Sequence, residues 1–167
     1  MAHDITVRLA GRDDAPAVYG LIVDLARARD AMHKVTSRVE DIARDGFGDD
    51  PAFEALIAEL DGKPVGLCLF FGSYSTWRGQ RGIYVQDLIV ADSARSLGVG
   101  QRLLAAMAAL ARARGAGYLR LSVDDDNIRA QTFYRRCGFR HSEPEQIYVL
   151  DEDDFAALAD SVKETQA

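Results

Sequence analysis

The stretch "IYVQDLIVADSARSLGVGQRLLAAMAAL", Ile83 to Leu110, constrains the fold more than any other. A strand-like apolar run passes through a turn, with Gly98 and Gly100 one residue apart, into a helical stripe of Val99, Leu103, Met107 and Leu110. A strand leading through a short turn into an amphipathic helix lays that helix back over a sheet, which points to a layered α/β architecture. The turn also carries charge. A helix N-terminus presents unpaired N–H groups and a partial positive charge, and glycine lets the backbone approach an anion with no Cβ in the way. Arg95 before the turn and Arg102 in the first helical turn add cations. The glycines therefore suit the floor of a phosphate site, or else a turn that binds nothing. Neither common nucleotide loop fits: the third glycine of G-x-G-x-x-G is replaced by Leu103, and G-K-[ST] is absent.

The rest of the chain fills in the layers. "ITVRLA" (Ile5 to Ala10) alternates as a first strand. A helix follows, with Asp13 or Asp14 as cap, Pro16 in its first turn, and Val18, Leu21, Ile22 and Leu25 on one face. Thr36 or Ser37, with Glu40 in capping-box position, starts a second helix that ends at Gly46 and Gly48. "AFEALIAEL" (Ala52 to Leu60) and "PVGLCLFFGSY" (Pro64 to Tyr74) read as a hairpin through "DGK", and Ile83 to Val90 as the next strand. Tyr118 to Val123 reads as a strand, Asn127 to Arg136 as a short helix, and Gln146 to Leu150 as a last strand before an acid-headed helix from Asp151. The expectation is one domain over residues 1–167, with its core in 5–150 and a C-terminal helix over 151–165. It holds a mixed sheet of six or seven strands with helices on both faces.

Composition narrows the function. The net charge of −6 over 167 residues argues against nucleic acid as the main partner. Cys68 and Cys137 form no disulfide framework, and His3, His33 and His141 are scattered, so no metal site is expected. The opening "MAHDITVRLAGRDD" lacks the build of a secretory signal, and no apolar run reaches the ~20 residues of a membrane span. A cytoplasmic protein that meets neither membrane nor nucleic acid is expected.

Arg95-x-x-Gly98-x-Gly100 after a strand is followed by Asn127-x-x-Ala130-x-x-Phe133-Tyr134-x-x-x-Gly138-Phe139. This pairing resembles the GNAT superfamily of acyl-CoA-dependent N-acetyltransferases, and the order of elements fits that fold from Ile5 to Leu150. "IARDGFGDDPAFEALIAEL", "SYSTW" and "IYVQDLIVADSARSLGVG" are similar to the diamine (spermidine/spermine) N-acetyltransferase branch. The resemblance implies that acetyl-CoA wedges between two parallel strands that splay apart. Leu88, Ile89 and Val90 would bind the pantetheine arm. The amides of Ser96, Leu97, Gly98, Val99, Gly100 and Gln101 would hold the pyrophosphate, with Arg95 opening the motif. Asn127 and Ala130 would meet the cofactor from the next helix. Tyr134 would protonate the leaving thiolate as general acid, and the N–H of Ile89 would polarise the thioester carbonyl. No metal is implied, and a homodimer is.

Three positions depart from the diamine branch. Gln86 stands where those relatives carry glutamate, beside a retained Asp87, and an amide cannot take a proton at neutral pH. Strand alternation would also send Gln86 and Asp87 to opposite faces. Ser75 and Arg29 occupy positions that are acidic in those relatives. Together these changes remove negative charge from the expected acceptor pocket, which holds a polycation less well; the resemblance puts Trp77 in a loop lining that pocket, and a surface or dimer-contact tryptophan is the alternative. The acceptor is expected to be a small primary amine: a polyamine, an amino acid or another carboxylate-bearing amine. An antibiotic, a peptide N-terminus, or a module that binds acyl-CoA without turnover are the alternatives. Asp124, Asp125 and Asp126 read as solvated or helix-capping charge, with attraction of a cationic acceptor and, last, a metal site as the alternatives.

Overall fold

The computed structural model describes residues 4–142 and 147–164, which divide into two compact units, one ending at Asn127 and the other beginning at Ile128. In the first unit β1 (Ile5–Leu9), β2 (Glu54–Leu60), β3 (Lys63–Ser75), β4 (Gln80–Val90) and β5 (Leu119–Leu121) form one sheet in that spatial order. The pairs are antiparallel as far as β4, and β4 pairs β5 in parallel. A parallel pair needs a crossover, and α3 (Val99–Ala113) supplies it.

Local chemistry places these elements. Asp61 and Gly62 both take positive φ, 49° and 76°, which is the twist a two-residue β2–β3 hairpin requires. α1 (Ala15–Ala28) begins after Asp14, whose carboxylate accepts the Gly11 N–H at 2.7 Å and both guanidinium nitrogens of Arg8. α2 (Val39–Phe47) is capped one residue later than its sequence suggests. Arg38 is the N-cap, and Asp41, not Glu40, takes its N–H at 2.9 Å. Neither Thr36 nor Ser37 makes a capping hydrogen bond there, because capping chemistry depends on where the backbone leaves the extended region, and Arg38 is the last extended residue.

The sheet carries a core on each face. On one side Leu56, Cys68, Phe70, Ile83 and Val85 pack under Val99, Leu103 and Met107 of α3. On the other Ile57, Leu67, Leu69 and Ile89 pack under Val18 and Leu21 of α1 and Ile42 of α2. Gly66 permits a close approach of α3 to the sheet. A Cβ there would lie 2.8 Å from Val99 Cγ1 and 3.0 Å from Leu103 Cδ1, so the N-terminal turn of α3 is seated directly on β3.

The second unit contains α4 (Ile128–Arg136) and α5 (Glu152–Glu164). Gly138, at φ 91°, ends α4 as expected. The strand expected over Gln146 to Leu150 does not form in the described residues; Gln146 lies outside them, and Ile147 to Leu150 carry no ladder. Three consecutive apolar residues there, Ile147, Tyr148 and Val149, stay at least three-quarters exposed. β-propensity becomes a strand only where a neighbouring backbone supplies hydrogen bonds. The described sheet therefore has five strands, against the six or seven expected. No described helix is long and apolar enough to cross a membrane.

Candidate active site

β4 has two unlike edges. Toward β3 it is paired from Gln80 to Val90. Toward β5 the ladder has, among the described residues, only the rungs Ile83↔Leu119, Tyr84↔Arg120 and Val85↔Leu121, and on that edge β4 then runs on without a described partner strand through Gln86 to Val90. The strands part where the splay was expected, and Tyr84 Oη lies 2.8 Å from Ser122 Oγ at the point of parting.

A β-bulge marks the same place. Leu69 pairs Asp87 while Phe70 pairs Val85, which leaves Gln86 as an extra residue on β4. Ile83 and Val85 belong to the α3-side core and Leu88 and Val90 pack against it, whereas Ile89 belongs to the α1-side core. Counting back from Ile89 puts Asp87 on the α1 side, and counting forward from Tyr84 puts Gln86 there too. The expected separation of Gln86 and Asp87 onto opposite faces is therefore corrected: the bulge absorbs one step of the alternation.

The regular ladder beyond the bulge decides which backbone groups face the opening. The Ala91 N–H donates to the Val65 carbonyl at 2.8 Å. Antiparallel alternation from that bond makes Ile89↔Leu67 a hydrogen-bonded pair, with the Ile89 N–H turned toward β3. Leu88 and Val90 turn their backbone groups the other way, to the edge that β5 leaves. The Ile89 N–H, expected to polarise the carbonyl, therefore faces β3, and the Leu88 N–H faces the opening.

The opening leads to a helix end built for an anion. Gly98 is the N-cap of α3 at φ 79°, and Ser96 before it also lies in the left-handed region at φ 65°. No side chain caps this helix, its first turn holds no acid, and its first internal bond runs from Arg102 N–H to Gly98 O. The N–H groups of Val99, Gly100 and Gln101 precede that bond. α2, by contrast, carries Glu40 and Asp41 in its first turn. Ser96, Leu97, Gly98 and Gln101 are exposed, and Val99 is buried in the core. Arg95 pairs with Asp92 at 2.5 Å at the mouth of the loop. Arg102, expected to add charge, instead donates to the Ile5 carbonyl at 3.2 Å, so it ties α3 to β1.

A cavity of about 410 Å³ lies alongside, between Leu21, Asp24, Leu25, Arg27 and Ala28 of α1 and the run Ile89, Val90, Ala91, Asp92 and Arg95. Asp87 is half-buried near its floor strand, and burial pushes its carboxyl above the ordinary aspartate value. Cys68, buried on the opposite face, has its thiol pushed up to about 12, first by burial and then by the charge of Asp87. A thiol held in that form is no nucleophile.

The structure separates other expected residues. Trp77 is fully exposed in the β3–β4 turn. At about 3.4 Å per residue, the six steps from Gln80 to Gln86 put that turn roughly 20 Å from the bulge. Trp77 and Gln86 are therefore not brought together, because the hairpin carries the tryptophan to the far end of β4. Ser75 sits on the same turn and its Oγ accepts the Arg78 N–H at 3.3 Å. Arg29 ends α1 and reaches Asp124 at 2.6 Å, a pairing that sequence spacing gave no sign of. The carbonyl of Asp124 accepts the Asn127 N–H at 3.0 Å. In the second unit Ala130 and Tyr134 lie on α4, and the Tyr134 ring meets Phe133 and Phe139 edge-on, with centroids 5.3 and 5.6 Å apart.

The profile of the Acetyltransferase (GNAT) family matches residues 19–139. The chain is 34% identical over 142 residues to thialysine N-epsilon-acetyltransferase of Bos taurus, covering 80% of this chain and 83% of that protein. It is 32% identical over 106 residues to L-ornithine N5-acetyltransferase of Arabidopsis thaliana, covering 64% of this chain and 43% of that protein. Among solved structures, an integron cassette protein from the mobile metagenome of V. cholerae superposes with a TM-score of 0.80 at 18% identity, over 95% of this chain and 98% of that one.

Proposed function

The chain belongs to the GNAT family of acetyltransferases, and from that premise we propose that it moves an acetyl group from acetyl-CoA to a primary amine of a small molecule by direct attack. One observation carries the reading: β4 runs five residues past its last β5 rung, and the chain then turns through residues 91–98 into a helix N-terminus that no side chain caps. The free edge at Leu88 and Val90 offers amide partners to the pantetheine arm, and the N–H groups from Ser96 to Gln101 suit the pyrophosphate. Arg95 stands at the mouth, and Asn127 and Ala130 complete the cofactor contacts that the motif implies.

The reaction forms one C–N bond and breaks one C–S bond. The Leu88 N–H stabilises the oxyanion that forms between these events. The acceptor arrives as an ammonium, so it must first lose a proton. Gln86 cannot take it, but Asp87 stands on the same face, and its raised carboxyl pKa brings it closer to that of an efficient proton acceptor at neutral pH. A second proton leaves nitrogen for solvent as the tetrahedral species collapses, the Tyr134 phenol protonates the departing sulfur, and its phenolate regains a proton from solvent.

The test is release of free CoA thiol from acetyl-CoA against polyamines, basic amino acids, aminoglycosides and short peptides over a pH series. Turnover on one class names the acceptor. Binding of acetyl-CoA with no turnover on any amine refutes the reading.

A further inference from the structure

Arg29 lies one residue beyond Ala28 of the cavity wall. Its guanidinium is 2.6 Å from the Asp124 carboxylate and 4.0 Å from that of Asp126. Asp124 lies three residues beyond Leu121, the last residue of β5, while α1 packs on β3 and β4. The ion pair thus joins the helix beside β4 to the segment that leaves β5, across the place where the two strands part.

An ion pair with both side chains more than a third exposed adds little to stability. Such an exposed pair is a weak tie, and both side chains can turn to a ligand group. Resting on the acetyl-transfer reading above, we propose that Arg29 and Asp124 together read the zwitterionic head of an α-amino acid acceptor whose far-end amine is acetylated. The guanidinium takes the α-carboxylate, and the Asp124 carboxylate takes the α-ammonium.

The chemistry matches group by group. The planar fork of arginine suits a carboxylate in a way that no point charge does. Carboxylate and ammonium sit on one carbon of an amino acid, as the two opposite charges sit side by side here. A ligand of that kind returns a partner to both side chains. A plain diamine gives Asp124 a partner but leaves Arg29 facing a second cation, so the same residue that welcomes the amino acid rejects the polycation. The pairing also fixes which amine reacts. An α-ammonium held by a carboxylate keeps its proton and cannot attack, while the far amine is left to Asp87.

The test compares kcat/KM for L-ornithine with that for putrescine, and L-lysine with cadaverine, each pair differing by one carboxylate. The native enzyme should favour the amino acids at least tenfold, and mass spectrometry should place the acetyl group on the far amine. Arg29→Gln should lower the amino acid-to-diamine ratio at least tenfold, mostly through KM. Arg29→Lys should restore part of it, and Arg29→Glu should invert it. Asp124→Asn should let acetylation reach the α-amine. Equal losses on amino acid and diamine in Arg29→Gln, with an unchanged melting temperature, would mean the pair only braces the fold and would overturn this inference alone. Absence of thiol release with every amine would overturn it together with the acetyl-transfer reading.

Discussion

The two edges of β4 are made of the same residues and do opposite work. The edge facing β3 is paired from Gln80 to Val90 but for the bulged Gln86, and lies between two apolar cores. The edge facing β5 is paired over three rungs and then abandoned. The difference comes from a short β5 and from one extra residue, Gln86, which bends β4 and reassigns its faces. A ladder that stops early leaves strong backbone donors and acceptors without internal partners. Such groups are a liability in a purely structural strand and a resource in a site. Substitutions along the paired edge should therefore cost stability, and those along the open edge should cost turnover.

The largest effect belongs to the paired edge. Phe70 is fully buried on β3 opposite Val85. Phe70→Ala should lose about 3–5 kcal/mol of stability, read from urea unfolding. Its kcat/KM should stay close to native wherever the protein remains folded. A large loss of turnover in folded protein would break the division between edges.

Next comes chemistry. Tyr134→Phe should lower kcat on the order of 100-fold, the lower range for a lost general acid, with acetyl-CoA affinity and melting temperature unchanged. Full turnover in this variant would remove the phenol from the reaction.

Two neighbouring glycines then sharpen the comparison at the open end. Gly98 takes a left-handed φ that L side chains adopt at a cost of about 1–2 kcal/mol, so Gly98→Val should lower both stability and cofactor affinity. Gly100 lies inside the first turn of α3 without positive φ. Gly100→Val should shift stability by less than about 0.5 kcal/mol, yet crowd the phosphate loop and raise the Kd for acetyl-CoA about tenfold (~1.4 kcal/mol). Isothermal titration and thermal melts distinguish the two, and unchanged affinity in Gly100→Val would mean that this loop binds no pyrophosphate.

How much of this could be read from the chain depends on range. The β2–β3 hairpin was legible because Asp61-Gly62 is a local conformational signal, and α3 because its stripe repeats with helical period. The bulge was half-written. Ile83 and Val85 alternate, two polar residues follow, and the apolar pattern resumes at Leu88 out of step. Read as a plain strand, that slip sent Gln86 and Asp87 to opposite faces. The Arg29–Asp124 pair spans 95 positions and depends on where α1 ends, which no local pattern encodes. Arg102 looked like a phosphate ligand by position, yet the direction of its side chain toward Ile5 is a tertiary fact. The missing last strand failed for the converse reason, since an apolar run states a propensity and leaves its partner unspecified.

The smallest expected effect tests whether the open edge carries a stability cost. Burial raises the Asp87 carboxyl above 3.8, so the folded chain keeps that proton to a higher pH than the unfolded chain does. Between the two values the folded state binds more protons, and stability must fall as pH rises through that window. Above it the ionised, half-buried carboxylate is a fixed penalty on the fold. Asp87→Asn should flatten that part of the urea-midpoint profile and make the protein slightly more stable at neutral pH, while removing the rising limb of kcat/KM that a carboxylate proton acceptor produces. An unaltered stability profile would mean that Asp87 titrates like an exposed aspartate. Its carboxylate would then be too weak a base to accept the acceptor's proton efficiently, and the burial of Asp87 beside the bulge would have no part in the chemistry of the open edge.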